Sequence, residues 1–89
     1  MSSFNNKTVL VTGGCGGLGL AITNVFLEAG ATVLAVDVNT HDSDSKDAKP
    51  ITRKCDITDE EQLKALFDRS IQEFGQIDVV VNNAAILDR

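Results

Sequence analysis

An α/β fold, with helices packed on a parallel sheet, is what this sequence predicts, and three observations predict it. Short apolar runs of strand length alternate with longer stretches in which apolar residues recur every three or four positions, the pattern of strand-helix-strand units. The second of the short runs, TVLAVDV, is apolar on both faces, as in a parallel strand covered on two sides. A glycine-rich segment, TGGCGGLG, falls where the first strand gives way to the first helix. Right-handed crossovers then follow.

The elements can be justified in turn. Residues 8–11 form the first strand. Leu18, Ala21, Ile22, Val25, Phe26 and Ala29 recur at helical spacing, and Gly30 stops that helix. Residues 32–38 are the second strand and residues 51–57 a less apolar third. Thr58 and Glu61 make a capping box, with Thr58 at the N-cap, ahead of Leu63, Leu66, Phe67, Ile71 and Phe74. Gly75 closes the second helix, and residues 78–82, DVVVN, form the fourth strand. Residues 39–50, NTHDSDSKDAKP, have no apolar periodicity, yet they must carry the chain between two parallel strands. They are expected to be a mostly solvated loop with at most a short helix. Residues 1–89 contain no repeat and no dividing linker, so they are expected to form one unit.

Composition excludes several functions. The formal net charge is −5, with no basic cluster to neutralise phosphates, so neither nucleic acid nor an anionic membrane surface is an expected partner. No apolar stretch is long enough to span a bilayer and no targeting leader is evident, so a cytoplasmic protein is expected. Cys15 and Cys55 lie at no metal-ligand spacing, and neither a metal site nor a disulfide is expected.

The glycines point to an anion. A strand, a glycine turn and a helix present unpaired backbone N–H groups and the positive end of a helix dipole to a phosphate. Two spacings are present, Gly14-x-Gly16-x-x-Gly19 and Thr12-Gly13-x-x-x-Gly17-x-Gly19. Asp37 ends the second strand, close to the roughly 20-residue offset expected of a ribose-binding acid in a dinucleotide fold. The first helix carries no acid before Glu28, whereas the second opens on Asp59, Glu60 and Glu61. Only the first leaves its N-terminus free for an anion. A carboxylate at position 37 accepts from two ribose hydroxyls and repels a 2′-phosphate, which favours NAD over NADP. Asp42, Asp44 and Asp47 add to that repulsion, although a solvated polar loop is the better account of their presence.

Taken together, Thr12-Gly13-x-x-x-Gly17-x-Gly19, Asp37, Cys55-Asp56-Ile57-Thr58 and Asn82-Asn83-Ala84-Ala85 resemble the N-terminal, cofactor-binding half of a short-chain dehydrogenase/reductase. The resemblance implies a partial Rossmann-like fold, with four strands in the order 3-2-1-4, in which Gly13, Gly17 and Gly19 shape the dinucleotide turn, while Gly14 and Gly16 occupy variable positions. It implies that the backbone at Gly16, Gly17 and Leu18 approaches the pyrophosphate. Asp37 would hold the adenosine ribose, and Asp56 with Ile57 the adenine. Asn82, Asn83 and Ala84 would line the cofactor side of the fourth strand, with Asn82 bracing the sheet near Thr12. The sequence departs from the family's Asn-Asn-Ala-Gly at Ala85, and its crossover at 39–50 is shorter and more polar than the family's helix.

The resemblance further implies hydride transfer between NAD and an alcohol/carbonyl pair, with a Tyr as general acid/base, a nearby Lys, a Ser and an Asn relay. None of these catalytic residues can be assigned here, since they belong beyond the fourth strand and the chain contains no Tyr. Without general acid/base catalysis, which contributes on the order of 100- to 10,000-fold, these 89 residues are expected to bind rather than turn over. His41 reads as a surface histidine and Cys55 as a buried strand residue. Cys15, at a helix N-terminus, has a setting that can lower a thiol pKa and promote oxidation, against a plainer role as a small residue in a tight turn. Two further functions stay open: a non-catalytic NAD-binding or interaction module, and another Rossmann nucleotide-binding protein such as a methyltransferase, which Asp56 and Asn82-Asn83-Ala84 weigh against. The fourth strand, apolar and without Pro or Lys, is expected to be an exposed edge, so that the isolated chain is either unstable or self-associates through it.

Overall fold

The computed structural model describes residues 3–83. Its elements are β1 (Thr8–Thr12), α1 (Gly17–Glu28), β2 (Thr32–Asp37), β3 (Ile51–Lys54), α2 (Glu60–Phe74) and β4 (Val79–Val81). All strand pairs are parallel, and the sheet order is β3-β2-β1-β4, as the resemblance implied.

β1 is buried along its whole length because both faces of the sheet are covered. On one face Leu10, Leu34, Val36, Ile51 and Cys55 pack with Leu66 of α2, flanked by Leu63, Phe67, Phe74 and Ile77. On the other, Val9, Val11, Ala31 and Val33 pack with Ile22, Phe26 and Leu27, and Phe4 meets Phe26 edge-on at 5.2 Å. Each fully buried Val, Leu or Ile contributes roughly 1.5–3 kcal/mol, so these two layers are the main source of stability. Asp78 fixes the start of the β1–β4 register: its carboxylate accepts the Thr8 N–H at 2.7 Å, and its own N–H donates to the Thr8 carbonyl at 2.8 Å.

Several boundaries differ from the expected ones, each for a local reason. β2 ends at Asp37 because its carboxylate accepts the Asn39 N–H and turns the chain, leaving Val38 exposed. β3 ends at Lys54: Cys55 N–H still donates to the Asp37 carbonyl, but the Asp56 carboxylate then takes both the N–H and the hydroxyl of Thr58. That engagement also moves the start of α2. The N-cap is Asp59, not Thr58, and its carboxylate accepts from the N–H groups of Glu61 and Gln62. Gly75 ends α2 in the left-handed conformation, φ 85°, as a helix-closing glycine should. β4 is limited to three residues, and the crossover at 39–50 forms turns and bends with no helix.

The buried side of α1 also differs from the apolar pattern. Leu18 and Val25 are exposed, while Gly19 and Thr23 face the sheet. Small residues at these positions let the helix lie close to the turn. The Thr23 hydroxyl donates to the Gly14 carbonyl at 3.2 Å, so its burial leaves no polar group unsatisfied. Ser70 does the same in α2, donating to the Leu66 carbonyl at 2.7 Å.

Candidate functional site

The sheet brings the glycine turn, Asp37 and the start of the Asn82-Asn83 segment to the C-terminal end of its strands, where parallel α/β sheets bind ligands. The turn is anchored to β2: the N–H groups of Gly13 and Gly14 both donate to the Val36 carbonyl, at 2.7 and 3.2 Å. It is tied to the fourth strand as well. The Thr12 hydroxyl lies 3.3 Å from both the Val81 carbonyl and Asn82 Oδ1, and Asn83 Nδ2 donates to the Gly13 carbonyl at 3.4 Å. Asn82 thus touches Thr12, and buried Asn83 holds the turn from below.

The glycines divide by what surrounds them. Gly17 has a φ of +55° and open space around it, so its requirement is conformational. Gly19 is required by contact: a Cβ there would overlap the Gly13 carbonyl oxygen and come within 2.9 Å of Asn83 Nδ2. Gly16 is extended, with nothing within 4 Å of a Cβ, consistent with a variable position. Gly14, expected at a variable position, has little room for a Cβ as the turn stands. A Cβ there would meet the Val11 carbonyl at 2.9 Å and Ala35 at 3.0 Å, because the turn folds back onto β2.

Gly16 is the N-cap of α1, and no side chain caps that helix or places an acid in its first turn. The backbone donors of Gly17, Leu18 and Gly19, which have no partner within the helix itself, therefore face the site with no carboxylate of their own turn in competition. α2 is the opposite case, capped by Asp59 and opened by Glu60 and Glu61. Among the described residues, one helix start is suited to an anion and one is already satisfied.

Asp37 is half-buried at the end of β2. Asp56 and Ile57 follow the end of β3, and the Thr58 hydroxyl and N–H hold the Asp56 carboxyl below the usual carboxylate range. The Asp56 N–H, a candidate adenine contact, donates to Gln62 Oε1 at 3.0 Å. Ala84 and Ala85 lie outside the described residues. Cys15 does not have the low-pKa setting that oxidation favours. Burial pushes its thiol up, a Thr40 side-chain hydrogen bond opposes that, and the Asp37 charge adds to it. The thiol points to the Ala35 carbonyl at 3.9 Å, a packing role. Sequence reasoning missed Thr23 and Gln62. Thr23 was findable, as the residue one helical turn beyond Gly19 and so on the same face.

With this geometry in view, the chain was compared with known proteins. Residues 7–89 match the sequence profile of the short chain dehydrogenase family. The chain belongs to the short-chain dehydrogenase family. It is 49% identical over 90 residues to a short chain dehydrogenase/reductase of Colletotrichum higginsianum, dpchG, covering 93% of this chain and 34% of that protein. It is 40% identical over 87 residues to the 3-oxoacyl-[acyl-carrier-protein] reductase FabG of Thermotoga maritima, covering 90% and 35%. Among solved structures, a C-terminal deletion mutant of the aldohexose dehydrogenase of Thermoplasma acidophilum superposes with a TM-score of 0.80 at 37% identity, covering 97% of this chain and 36% of that one. The chain thus spans about a third of the length of these short-chain dehydrogenases. The family is one of oxidoreductases that use nicotinamide cofactors. No helix among the described residues is long and apolar enough to cross a membrane, and no group of three or more potential metal ligands occurs among them.

Proposed function

We propose that this chain is the NAD(H)-binding portion of a short-chain oxidoreductase that moves hydride between NAD and an alcohol/carbonyl substrate. One observation carries the proposal. α1 begins at Gly16 with no side-chain cap and no acid in its first turn, at the ligand-binding end of a parallel sheet whose neighbouring strand ends in Asp37. These residues fit a dinucleotide. The glycine turn leaves open space at Gly16 and Gly17 for a pyrophosphate, and Asp37 supplies the acceptor for a ribose diol.

When bound, the nicotinamide supplies or accepts the hydride. The chain's own part is binding and orientation: Gly16, Gly17 and Leu18 for the pyrophosphate, Asp37 for the adenosine ribose, Asp56 and Ile57 for the adenine, and Thr12, Asn82, Asn83 and Ala84 for the far end of the cleft. Gly13 and Gly19 hold the turn in shape. Asp37 favours NAD over NADP, because a 2′-phosphate would meet its carboxylate. The relatives are named as dehydrogenases and reductases, which supports an alcohol/carbonyl pair as the substrate class. Since the 89 residues include no Tyr, the proton carried with the hydride would be exchanged by residues outside them. A cytoplasmic location is part of the same proposal.

NADH and NADPH titrated against the chain, followed by fluorescence, test the assignment. NADH should bind more tightly, and Asp37→Ala should narrow the difference. Equal affinities before substitution overturn the choice of NAD, and no binding of either overturns the site.

A second reading, a non-catalytic NAD-binding or interaction module, draws on β4. It is an edge of the described sheet, and Val80 is half exposed on it. Self-association through that edge predicts a concentration-dependent sedimentation coefficient that Val80→Lys abolishes. A monodisperse monomer counts against it.

A further inference from the structure

The crossover at 39–50 is fastened to the sheet at specific points. Along the outer side of β3, Thr52 N–H donates to Ser43 Oγ at 2.7 Å and Ser43 N–H to the Thr52 carbonyl at 2.9 Å. The Thr52 hydroxyl donates to the His41 carbonyl at 2.7 Å. Lys54 N–H then donates to Asp42 Oδ1 at 2.9 Å, while on the inner side Cys55 N–H donates to the Asp37 carbonyl at 3.2 Å. The end of β3 is therefore gripped from both sides by the two ends of one short segment, residues 37–42.

Asp42 has a second attachment. Its Oδ2 receives Arg69 Nη1 of α2 at 2.8 Å. Arg69 Nε lies 3.6 Å from Glu73 Oε2, and Glu73 Oε1 receives Nη2 of buried Arg53 at 2.7 Å. Alternating charges thus run from the crossover, over α2, to the interior side of β3. Arg69 and the Lys54 N–H hold the Asp42 carboxyl below the usual range, and Asp42 in turn raises Arg69.

The segment so fixed starts at the residue assigned to the adenosine ribose, and its intervening residues 38–41 border that position. We propose that Asp42 and Arg69 form a latch that holds residues 38–41 as the outer wall of the adenosine pocket, making both of them positioning residues for the adenosine half of the cofactor. The proposal rests on the assignment of Asp37 to the ribose. Neither latch residue touches the ligand. They act by setting the fraction of molecules whose wall is in place, and apparent affinity scales with that fraction. Both side chains are about half exposed, so releasing the pair weakens binding by at most about fivefold, the upper limit for an exposed ion pair.

The test uses ADP-ribose as the probe, titrated calorimetrically into the full chain. Asp42→Asn keeps the oxygen that receives the Lys54 N–H and removes the charge facing Arg69, while Arg69→Gln breaks the pair from the other side. Each should bind ADP-ribose more weakly than the unaltered chain, by at most about fivefold. Arg69→Lys should restore affinity to within about twofold, because the charge returns. Lys64→Gln removes an equally short but unrelated pair on α2, Lys64–Asp68 at 2.8 Å, and should change nothing. Added salt should weaken the unaltered chain towards the variants and affect the variants less. A readout needing no substitution is the Lys54 amide, whose hydrogen exchange should slow when ADP-ribose binds. Asp42→Asn and Arg69→Gln binding as tightly as the unaltered chain, Lys64→Gln or Arg69→Lys losing as much as Arg69→Gln, or an indifferent Lys54 amide would each overturn the latch while leaving the Asp37 assignment intact. An unaltered chain that binds no ADP-ribose would overturn both.

Discussion

Alanine substitutions at four of the five glycines of the turn should not be equivalent, although the sequence presents them as similar residues. At Gly19 the added Cβ overlaps the Gly13 carbonyl oxygen, lies 2.6 Å from its carbon and approaches Asn83 Nδ2 at 2.9 Å. Two of these three contacts are with backbone that cannot rotate away, so α1 or the turn must move. Overpacking of this kind costs about 1–3 kcal/mol and sometimes more, and Gly19→Ala belongs at the upper end. Gly14→Ala meets the Val11 carbonyl at 2.9 Å and Ala35 at 3.0 Å, contacts that a few tenths of an ångström relieve, and should cost about 1–2 kcal/mol. Gly17→Ala meets nothing but places Ala at φ +55°, a left-handed penalty of about 1–2 kcal/mol. Gly16→Ala is extended and unhindered, and should be neutral or stabilising by up to about 1 kcal/mol through the unfolded chain. For a domain of this size 1 kcal/mol moves Tm by about 4–8 °C, so calorimetry resolves the series. Gly19→Ala melting with the unaltered chain, or Gly16→Ala melting as low as Gly19→Ala, would refute the reasoning.

Other consequences can be measured in the same way. Glu73→Ala strips the buried Arg53 guanidinium, 3% exposed, of its partner and should cost about 3 kcal/mol by denaturant unfolding, at the lower end for a buried pair because Glu73 is partly exposed. Arg53→Met combined with Glu73→Leu should recover most of that loss, and a double variant no better than Glu73→Ala would contradict it. Asp59→Ala should cost about 1 kcal/mol as the loss of an N-cap, and Thr58→Ala clearly less, with the opposite ranking restoring Thr58 to the cap. Asp42 and Asp56 have lowered native pKa values, so the stability they contribute is complete above the ordinary carboxylate value, about 4. It is lost as pH falls through their lower native values. Asp42→Asn should flatten that part of an acid titration followed by circular dichroism, and an unchanged acid limb would show the carboxylate to be inert.

Both long helices and the parallel pairing were legible because their causes are local or topological, whereas the strand order came with the family resemblance. Period and crossover handedness do not depend on which side chains meet. What escaped the sequence depended on distant residues or on competition between neighbours. The segment Thr58-Asp59-Glu60-Glu61-Gln62 contains two frames for a cap, and the structure uses the second because the Asp56 carboxylate has already claimed the Thr58 hydroxyl at 2.6 Å. Gly14 looked free because the motif counts positions along the chain, whereas its crowding comes from Ala35 on the next strand. Leu18 and Val25 looked buried because they are apolar, yet Gly19 and Thr23 are the fully buried residues of α1, beside the partly buried Ile22, Phe26 and Leu27. The Asp42–Arg69 pair joins residues 27 apart and could not be inferred from a loop that reads only as polar. Within the candidate site, the positions set by backbone geometry were legible, whereas the side-chain contacts that hold the turn in place were seen only in the fold.

The two helix starts show what the glycine turn gives up and what it gains. α2 satisfies its first donors with Asp59, and a cap of that kind is worth about 1 kcal/mol. α1 forgoes it, and it also places glycines in and just before its first turn, where each loses more conformational freedom on folding than alanine would. On stability alone the sequence at α1 is a poor choice. It becomes a good one if an external anion provides the cap, since the donors left open at Gly17, Leu18 and Gly19 are then satisfied by the ligand, with the helix dipole favouring its charge. A ligand that binds only the folded chain stabilises it in proportion to the logarithm of its concentration over Kd. The turn's local weakness and its proposed affinity for a pyrophosphate therefore have one origin, the absence of a side chain at Gly16.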